Sequence, residues 1–446
     1  MKHLIEWNNS TKREKSFLET NDWLALIMLA LTGLGINQIS YNNMLSVLIQ
    51  VFLLGLVFLL YRKRPAMIMV AYIFLTILPL RLYAGFSESG QGVYTLNPKI
   101  CIAFAVFFMI YELVIVKRKY RIDLLILLFV AVMICSLAWT ISMNSYTYHF
   151  WWMCIAYVFF PLLIREDHDI RIVVVSYIVA VDVFCLRILP ILLTETGLYR
   201  GSINLNPNYA AFFVIISMAL IFTMLTHYRT VISQKMKLLF FASAVLDVIT
   251  MSSFASRTSF VMLAILIFIY LLFNHKQIKT VLLTVIGVLT LSIILNHYGV
   301  FDPVLLRFAD DSASTGGGRI PIQMELLKSV YSGDVGRLIF GNGYLTAANF
   351  GLSRQAHNSY ISILLGFGLV GLLIYLAYLF RLFILLRNSE YSFFLIMFYF
   401  LILYSFSLEP YHIVEGITIF CLLSGINTIS MPMELLQEQS DHGVEV

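Results

Sequence analysis

Long apolar blocks separated by short polar breaks make up nearly the whole of this chain. The blocks run to about 20 residues, enough to cross the hydrocarbon of a bilayer. Backbone amides and carbonyls find no water inside lipid, so each block must close its hydrogen bonds internally and form a helix. The pattern predicts spans near 23–40, 44–61, 66–83, 99–116, 122–142, 150–164, 171–191, 208–226, 238–254, 258–273, 280–297, 358–380, 391–408 and 412–430. Several of these are short, and the expected architecture is an all-α polytopic integral membrane protein of about 12–14 transmembrane helices.

One break is different. Residues 298–357 form a loop of about 60 residues, a length at which a loop with structure of its own is usually functional. It opens on an acidic patch at Asp310-Asp311-Ser312 and then reaches Gly316-Gly317-Gly318. A short amphipathic helix is predicted at about 321–331, with Ile322, Leu326, Leu327 and Val330 on one face. Next comes Phe340-Gly341-Asn342-Gly343-Tyr344. The loop closes on Gln355-Ala356-His357-Asn358-Ser359-Tyr360, where the next span begins.

Composition agrees with this pattern. A chain of 446 residues that is 60% hydrophobic and 12% charged, with a mean hydropathy of +0.86, is excluded from the soluble globular class. Basic residues supply the threading. Arg62-Lys63-Arg64, Lys117-Arg118-Lys119, Arg165/Arg171, Arg229/Lys235/Lys237, Lys276/Lys279 and Arg381/Arg387 all fall on one side with the N-terminal segment 1–22. Short cytoplasmic loops collect Lys and Arg, so that side is read as cytoplasmic, and the tail 431–446 lies there too. The first span follows a mixed-charge segment and has no small-residue cleavage site after it. We read it as an uncleaved start-transfer helix of the cytoplasmic (inner or plasma) membrane. The net charge of +5 comes from the lysine-rich inner loops and is not read as nucleic-acid binding. All the cysteines fall in predicted spans, and neither a disulfide framework nor a metal-ligand spacing is expected.

The opposite side keeps its positive charge almost solely as arginine. Arg187, Arg200, Arg257, Arg307, Arg319, Arg337 and Arg354 lie there, with only Lys99 and Lys328 for company. A guanidinium binds phosphate bidentately and stays charged when partly buried, so this face looks built to hold an anion. Arg319 follows Gly316-Gly317-Gly318 at the mouth of the predicted loop helix. Glycines let a backbone approach an anion, and a helix N-terminus adds partial positive charge. A flexible linker ending in a solvated arginine has the same spacing, and no Lys-Ser/Thr follows as in a nucleotide P-loop. Arg257 sits in Ser256-Arg257-Thr258-Ser259, a polar island between apolar runs, where an arginine is costly unless it snorkels or finds a partner. Arg200 precedes Asn206-Pro207-Asn208; capping and a proline first turn explain the asparagines but not the arginine. His357 stands where loop meets span. A neutral imidazole is a suitable base for a sugar hydroxyl, although a capping or interfacial role is the blander reading. Glu409 and Glu415 could orient a base, or be solvated. Gly366, Gly368 and Gly371 read most simply as small-residue helix packing.

Taken in order along 195–425, these motifs make the chain resemble the O-antigen ligase and O-antigen polymerase superfamily of bacterial envelope glycosyltransferases. The resemblance rests on Arg200 with Asn206-Pro207-Asn208, on Ser256-Arg257-Thr258-Ser259, and on the long loop with Gly318-Arg319, Gly341-Asn342-Gly343 and Ala356-His357-Asn358-Ser359-Tyr360. It implies a C-type glycosyltransferase-like fold. It also implies an N-terminal helical region at 23–194 and a catalytic region at 195–430 that contains the extracytoplasmic loop 298–357. The implied activity is transfer of a glycan from an undecaprenyl diphosphate carrier at the outer face of the membrane. The implied catalytic residues are His357, Arg319 and Arg257; Arg200, Asn208, Gly318, Asn358 and Tyr360 would bind the diphosphate or glycan. No cofactor or metal is implied. The partners would be the lipid-linked donor, a glycan or lipid-linked acceptor, membrane lipids, and flippase and chain-length regulator proteins.

Elementary chemistry runs the same way. A diphosphate leaving group gains charge as the glycosidic bond breaks, and pre-placed arginines stabilise that charge without a metal. A base on the far side of the sugar would deprotonate the acceptor, which predicts inversion. The expected activity is a polysaccharide polymerase, with a ligase to lipid A-core or another acceptor as the alternative. A lipid-linked oligosaccharide flippase is the third reading, and it would place its cations at mid-membrane instead.

Overall fold

The computed structural model of the chain describes residues 17–38, 44–61, 64–78, 96–117, 120, 122–140, 145–194, 207–276, 278–309, 319–331, 334–344, 356–408 and 414–429. Helices account for the regular structure of these residues, and there is no strand among them. In chain order they are α1 (Thr20–Gln38), α2 (Met44–Tyr61), α3 (Ala66–Ile77), α4 (Leu96–Tyr111), α5 (Leu124–Cys135), α6 (Ser145–Phe159), α7 (Asp167–Thr194), α8 (Pro207–His227) and α9 (Gln234–Ser253). There follow α10 (Arg257–Phe273), α11 (Ile278–His297), α12 (Asp302–Phe308), α13 (Arg319–Tyr331), α14 (Val335–Phe340), α15 (Ser359–Asn388), α16 (Leu395–Tyr404) and α17 (Val414–Ile429). Each apolar run carries a helix, and α12 to α14 lie in the long loop. Five described segments are long and apolar enough to cross a membrane: Lys99–Val116, Asp167–Pro190, Ala210–His227, Gln234–Ser253 and Ser359–Asn388. The other apolar helices are shorter. The chain is an all-α membrane protein.

Local sequence sets the helix starts. Asp123, Ser233, Ser256 and Asn358 each accept a backbone N–H from the turn they open, satisfying donors that a helix leaves without partners. The packing then separates two kinds of helix. All of α3 is buried, as is α8 from Ala210 to Ile221, so these two form the interior of the bundle. By contrast α1, α2 and α11 turn Leu24, Phe52, Leu59, Ile286, Leu289 and Ile293 outward. A helix apolar on every face must be buried in protein or in lipid, and both cases occur here. Three arginines of the predicted inner loops reach carboxylates across helix boundaries: Arg64 to Asp22 (2.9 Å), Arg165 to Glu112 (2.9 Å) and Arg381 to Asp123 (2.9 Å).

The long loop folds back onto α15. Leu326 of α13 is fully buried against Ala356 and Leu365, with Ile322 and Leu338 packed alongside. Ile322 and Leu326 of the amphipathic face expected near 321–331 thus have a partner. α15 is broken at Gly368, whose backbone is non-helical at φ 67°. The break frees carbonyls, and the segment after α14 supplies donors. Asn342 N donates to Leu365 O (2.8 Å) and Gly343 N to Gly366 O (3.0 Å). The Asn342 side-chain amide adds a bond to Leu365 O (3.3 Å). Irregular backbone in a membrane protein is tolerated where protein satisfies it, and here it does.

This corrects the reading of Gly366 and Gly368 as simple helix packing. A Cβ on Gly368 would lie 2.2 Å from Ile339 O, and one on Gly341 would lie 2.3 Å from Gly366 O. Backbone meets backbone at both positions, and both have positive φ. Gly368→Ala should therefore destabilise the protein by more than the roughly 1–2 kcal/mol that left-handed backbone costs a residue with a Cβ. A lowered melting temperature with faster proteolysis between α14 and α15 is the expected readout.

Candidate functional site

α10 and α15 are entered in the same way. A non-glycine residue takes the left-handed conformation, Ala255 at φ 49° or His357 at φ 48°, and a capping side chain follows, Ser256 or Asn358. Such backbone costs on the order of 1–3 kcal/mol and persists only when surrounding contacts hold it. At His357 those contacts come from the turn after α16, where four successive carbonyls each receive a donor. Ser405 O accepts from Ser359 N (2.8 Å) and Phe406 O from Asn358 Nδ2 (3.3 Å). Ser407 O accepts from Arg319 Nη1 (2.9 Å) and Leu408 O from Ser359 Oγ (3.2 Å). One polar turn thereby fixes the start of α15 and the guanidinium of α13 together.

Arg319 is the first residue of α13. Its Nη1 also donates to Thr258 Oγ1 (3.2 Å), which ties it to the residue beside Arg257. Both of these acceptors are neutral oxygens, so neither cancels the charge of the guanidinium. Arg257 itself opens α10 and is half-buried. The cap of α10 reaches further still: Ser256 Oγ lies 3.0 Å from Asn208 Oδ1 near the start of α8, and Ser259 Oγ lies 2.7 Å from the Tyr404 hydroxyl on α16. Asn208, Thr258, Arg319 and the turn 405–408 are thus linked through side chains, although the sequence separates them widely.

His357 belongs to the same constellation. Its Nδ1 is buried without a hydrogen-bond partner. Burial first, and the nearby charge of Arg319 second, push the imidazole down from 6.5 to about 4. Both effects penalise the protonated form, so the ring is neutral through the physiological range. Between the ordinary value of 6.5 and the folded value of about 4 the unfolded chain binds the extra proton, so this group costs stability as pH falls through that window.

Asn358 and Tyr360 are engaged by the protein itself. The Asn358 side chain accepts from Tyr360 N (3.0 Å) and Ile361 N (3.1 Å) while its amide holds Phe406 O. The Tyr360 hydroxyl donates to Ile402 O (3.1 Å), and its ring packs on Phe406 with centroids 4.7 Å apart. These two residues hold the turn that presents His357. Arg187 donates to Leu78 O (2.8 Å) beyond the end of α3, and Arg337 is exposed on α14. Arg200, Gly318, Arg354 and Glu409 lie outside the described residues. The turn 405–408 is the part of the site that sequence reading missed. Its signal is modest: Ser405 and Ser407 interrupt an otherwise apolar run from Leu395 to Leu408.

No protein-family model, no curated protein and no solved structure matches this chain.

Proposed function

We propose that this all-α membrane protein is a polysaccharide polymerase. It would transfer a glycan from an undecaprenyl diphosphate carrier to the hydroxyl of another lipid-linked repeat unit at the outer face of the cytoplasmic membrane. The observation that carries this reading is the pairing of a fixed arginine with a neutral histidine. Arg319 is anchored by neutral oxygens of Thr258 and Ser407, and its charge is felt at a buried imidazole on the adjoining turn. A glycosyl diphosphate needs both functions: a cation where the leaving group gains charge and a base where the acceptor loses its proton.

In this reading Arg319 takes the diphosphate, with Arg257 and Arg200 as further cations. His357 accepts the proton of the attacking hydroxyl on the opposite side of the sugar. The hydroxyl oxygen forms the new glycosidic bond, undecaprenyl diphosphate departs with the electron pair, and the anomeric configuration inverts. Asn358 and Tyr360 act by positioning, and no metal is required. A ligase would use the same donor chemistry and differ only in the acceptor.

Binding of the carrier tests the anion half of the proposal. The purified protein should bind undecaprenyl diphosphate more tightly than undecaprenyl monophosphate, and Arg319→Ala should erase the difference. Equal binding of the two lipids by the wild-type protein would remove the basis for a diphosphate site.

A further inference from the structure

The segment from Ile339 to Tyr344 belongs by sequence to the long loop, yet it meets the helix bundle at membrane depth. Arg381 and Asp123 pair at adjoining ends of α15 and α5, and such a charged pair marks one boundary of the hydrocarbon. Gly366 and Gly368, whose backbone touches that of Gly341 and Ile339, precede Arg381 by 13–15 residues in a segment long and apolar enough to span. At a rise of about 1.5 Å per residue the contact lies roughly 20 Å from that boundary, inside a hydrocarbon layer about 30 Å thick. Helix tilt only shortens the distance. α5 gives the same answer from the other side. Thr140, 17 residues after Asp123, accepts a bond from Tyr344 N (3.0 Å), about 25 Å from the same boundary.

The backbone there leaves no amide for water. Gly341 N donates to Arg337 O (2.8 Å), Asn342 N to Leu365 O (2.8 Å), Gly343 N to Gly366 O (3.0 Å) and Tyr344 N to Thr140 Oγ1 (3.0 Å). Four successive amides of an irregular turn are closed by protein, which hydrocarbon demands and water does not. The outward side chains are apolar as well. α14 runs from a polar end at Asp334 and Arg337 to Ile339 and Phe340, and both of these last residues are exposed. Gly368, in contact with Ile339, opens a stripe along α15 in which Leu369, Leu373, Leu376 and Phe380 are exposed at helical spacing. On a spanning helix such a stripe faces lipid, and Ile339 and Phe340 adjoin its end.

We propose that the end of α14 and the turn 341–344 form a re-entrant segment, with Ile339 and Phe340 lying against phospholipid acyl chains of the leaflet in which α15 begins. The exposed Arg337, one turn back along α14, lays its stem along those chains and brings its guanidinium to the lipid phosphates. The loop 298–357 is then partly embedded in the membrane and not wholly aqueous. Neither Arg319 nor His357 takes part, so the re-entrant segment stands or falls independently of the proposed transferase activity.

The test uses the full chain in phosphatidylcholine nanodiscs, with Cys135→Ser removing the exposed cysteine. A nitroxide attached to Phe340→Cys is read by power saturation against oxygen, which partitions into hydrocarbon, and against a water-soluble nickel chelate. Its oxygen-to-nickel accessibility ratio should match that of a label at Leu373→Cys on the α15 stripe. It should exceed severalfold that of a label at Lys235→Cys, exposed at the start of α9. Ile339→Cys should report the same depth, and wild-type melting temperatures show that each labelled variant is folded. A label at 340 and 339 that the nickel chelate reaches as readily as at 235 puts the segment in water and overturns the proposal. A label shielded from both reagents overturns it too, by showing that protein, a second copy or another chain, covers this face.

Discussion

Arg319→Ala should slow glycan transfer by roughly 10²–10³-fold, the loss typical when one donor aimed at developing negative charge is removed. Thr258 Oγ1 and Ser407 O hold the Nη1 of Arg319, and neither of these two oxygens is charged. The fold should survive the substitution, since Ser405 O, Phe406 O and Leu408 O keep donors from Ser359 and Asn358. Arg319→Lys separates charge from geometry. An ammonium retains the point charge but cannot hold Thr258, Ser407 and a phosphate oxygen at once with a planar fork. It should also lose most of the rate, with carrier-lipid binding less affected than in the alanine variant. Initial rates and melting temperatures of both variants check this; near-wild-type transfer by Arg319→Lys would remove the fork from the mechanism.

His357→Ala carries the second large effect. A positioned general base contributes about 10²–10⁴-fold, so polymer formation should fall into the background while the protein still folds. The pH dependence is more diagnostic than the loss itself. In the free protein burial and Arg319 hold the imidazole at about 4, so activity at limiting donor should persist below the 6.5 expected of an ordinary histidine and fall only as pH approaches 4. A bound diphosphate brings negative charge beside Arg319, offsets its effect on the ring and raises the imidazole again. The acid limb of kcat should therefore lie at higher pH than the acid limb of kcat/KM, because the first reports the complex and the second the free protein. Coincident limbs would break the electrostatic link between donor and base.

The helices were readable because lipid demands internal backbone bonding, and five of the described apolar segments reach the length that a bilayer needs. The amphipathic helix of the loop was also readable, since Ile322 and Leu326 repeat at helical spacing and are the side chains that dock on α15. The break in α15 was not. Gly366 and Gly368 look like ordinary packing glycines until Asn342 and Gly343 are seen bonding the freed carbonyls. Residue types likewise singled out Arg319 and His357 but could not show that they share a turn. That link runs through main-chain oxygens of 405–408, and a carbonyl has no residue identity to read.

In our proposal this chain makes a glycosidic bond from a lipid diphosphate donor. Purified protein in detergent with EDTA, given an undecaprenyl-diphosphate-linked repeat unit alone, should yield products of two or more repeats together with free undecaprenyl diphosphate, in wild type but not in His357→Ala. Donor recovered intact, with neither longer glycan nor released carrier, would contradict it.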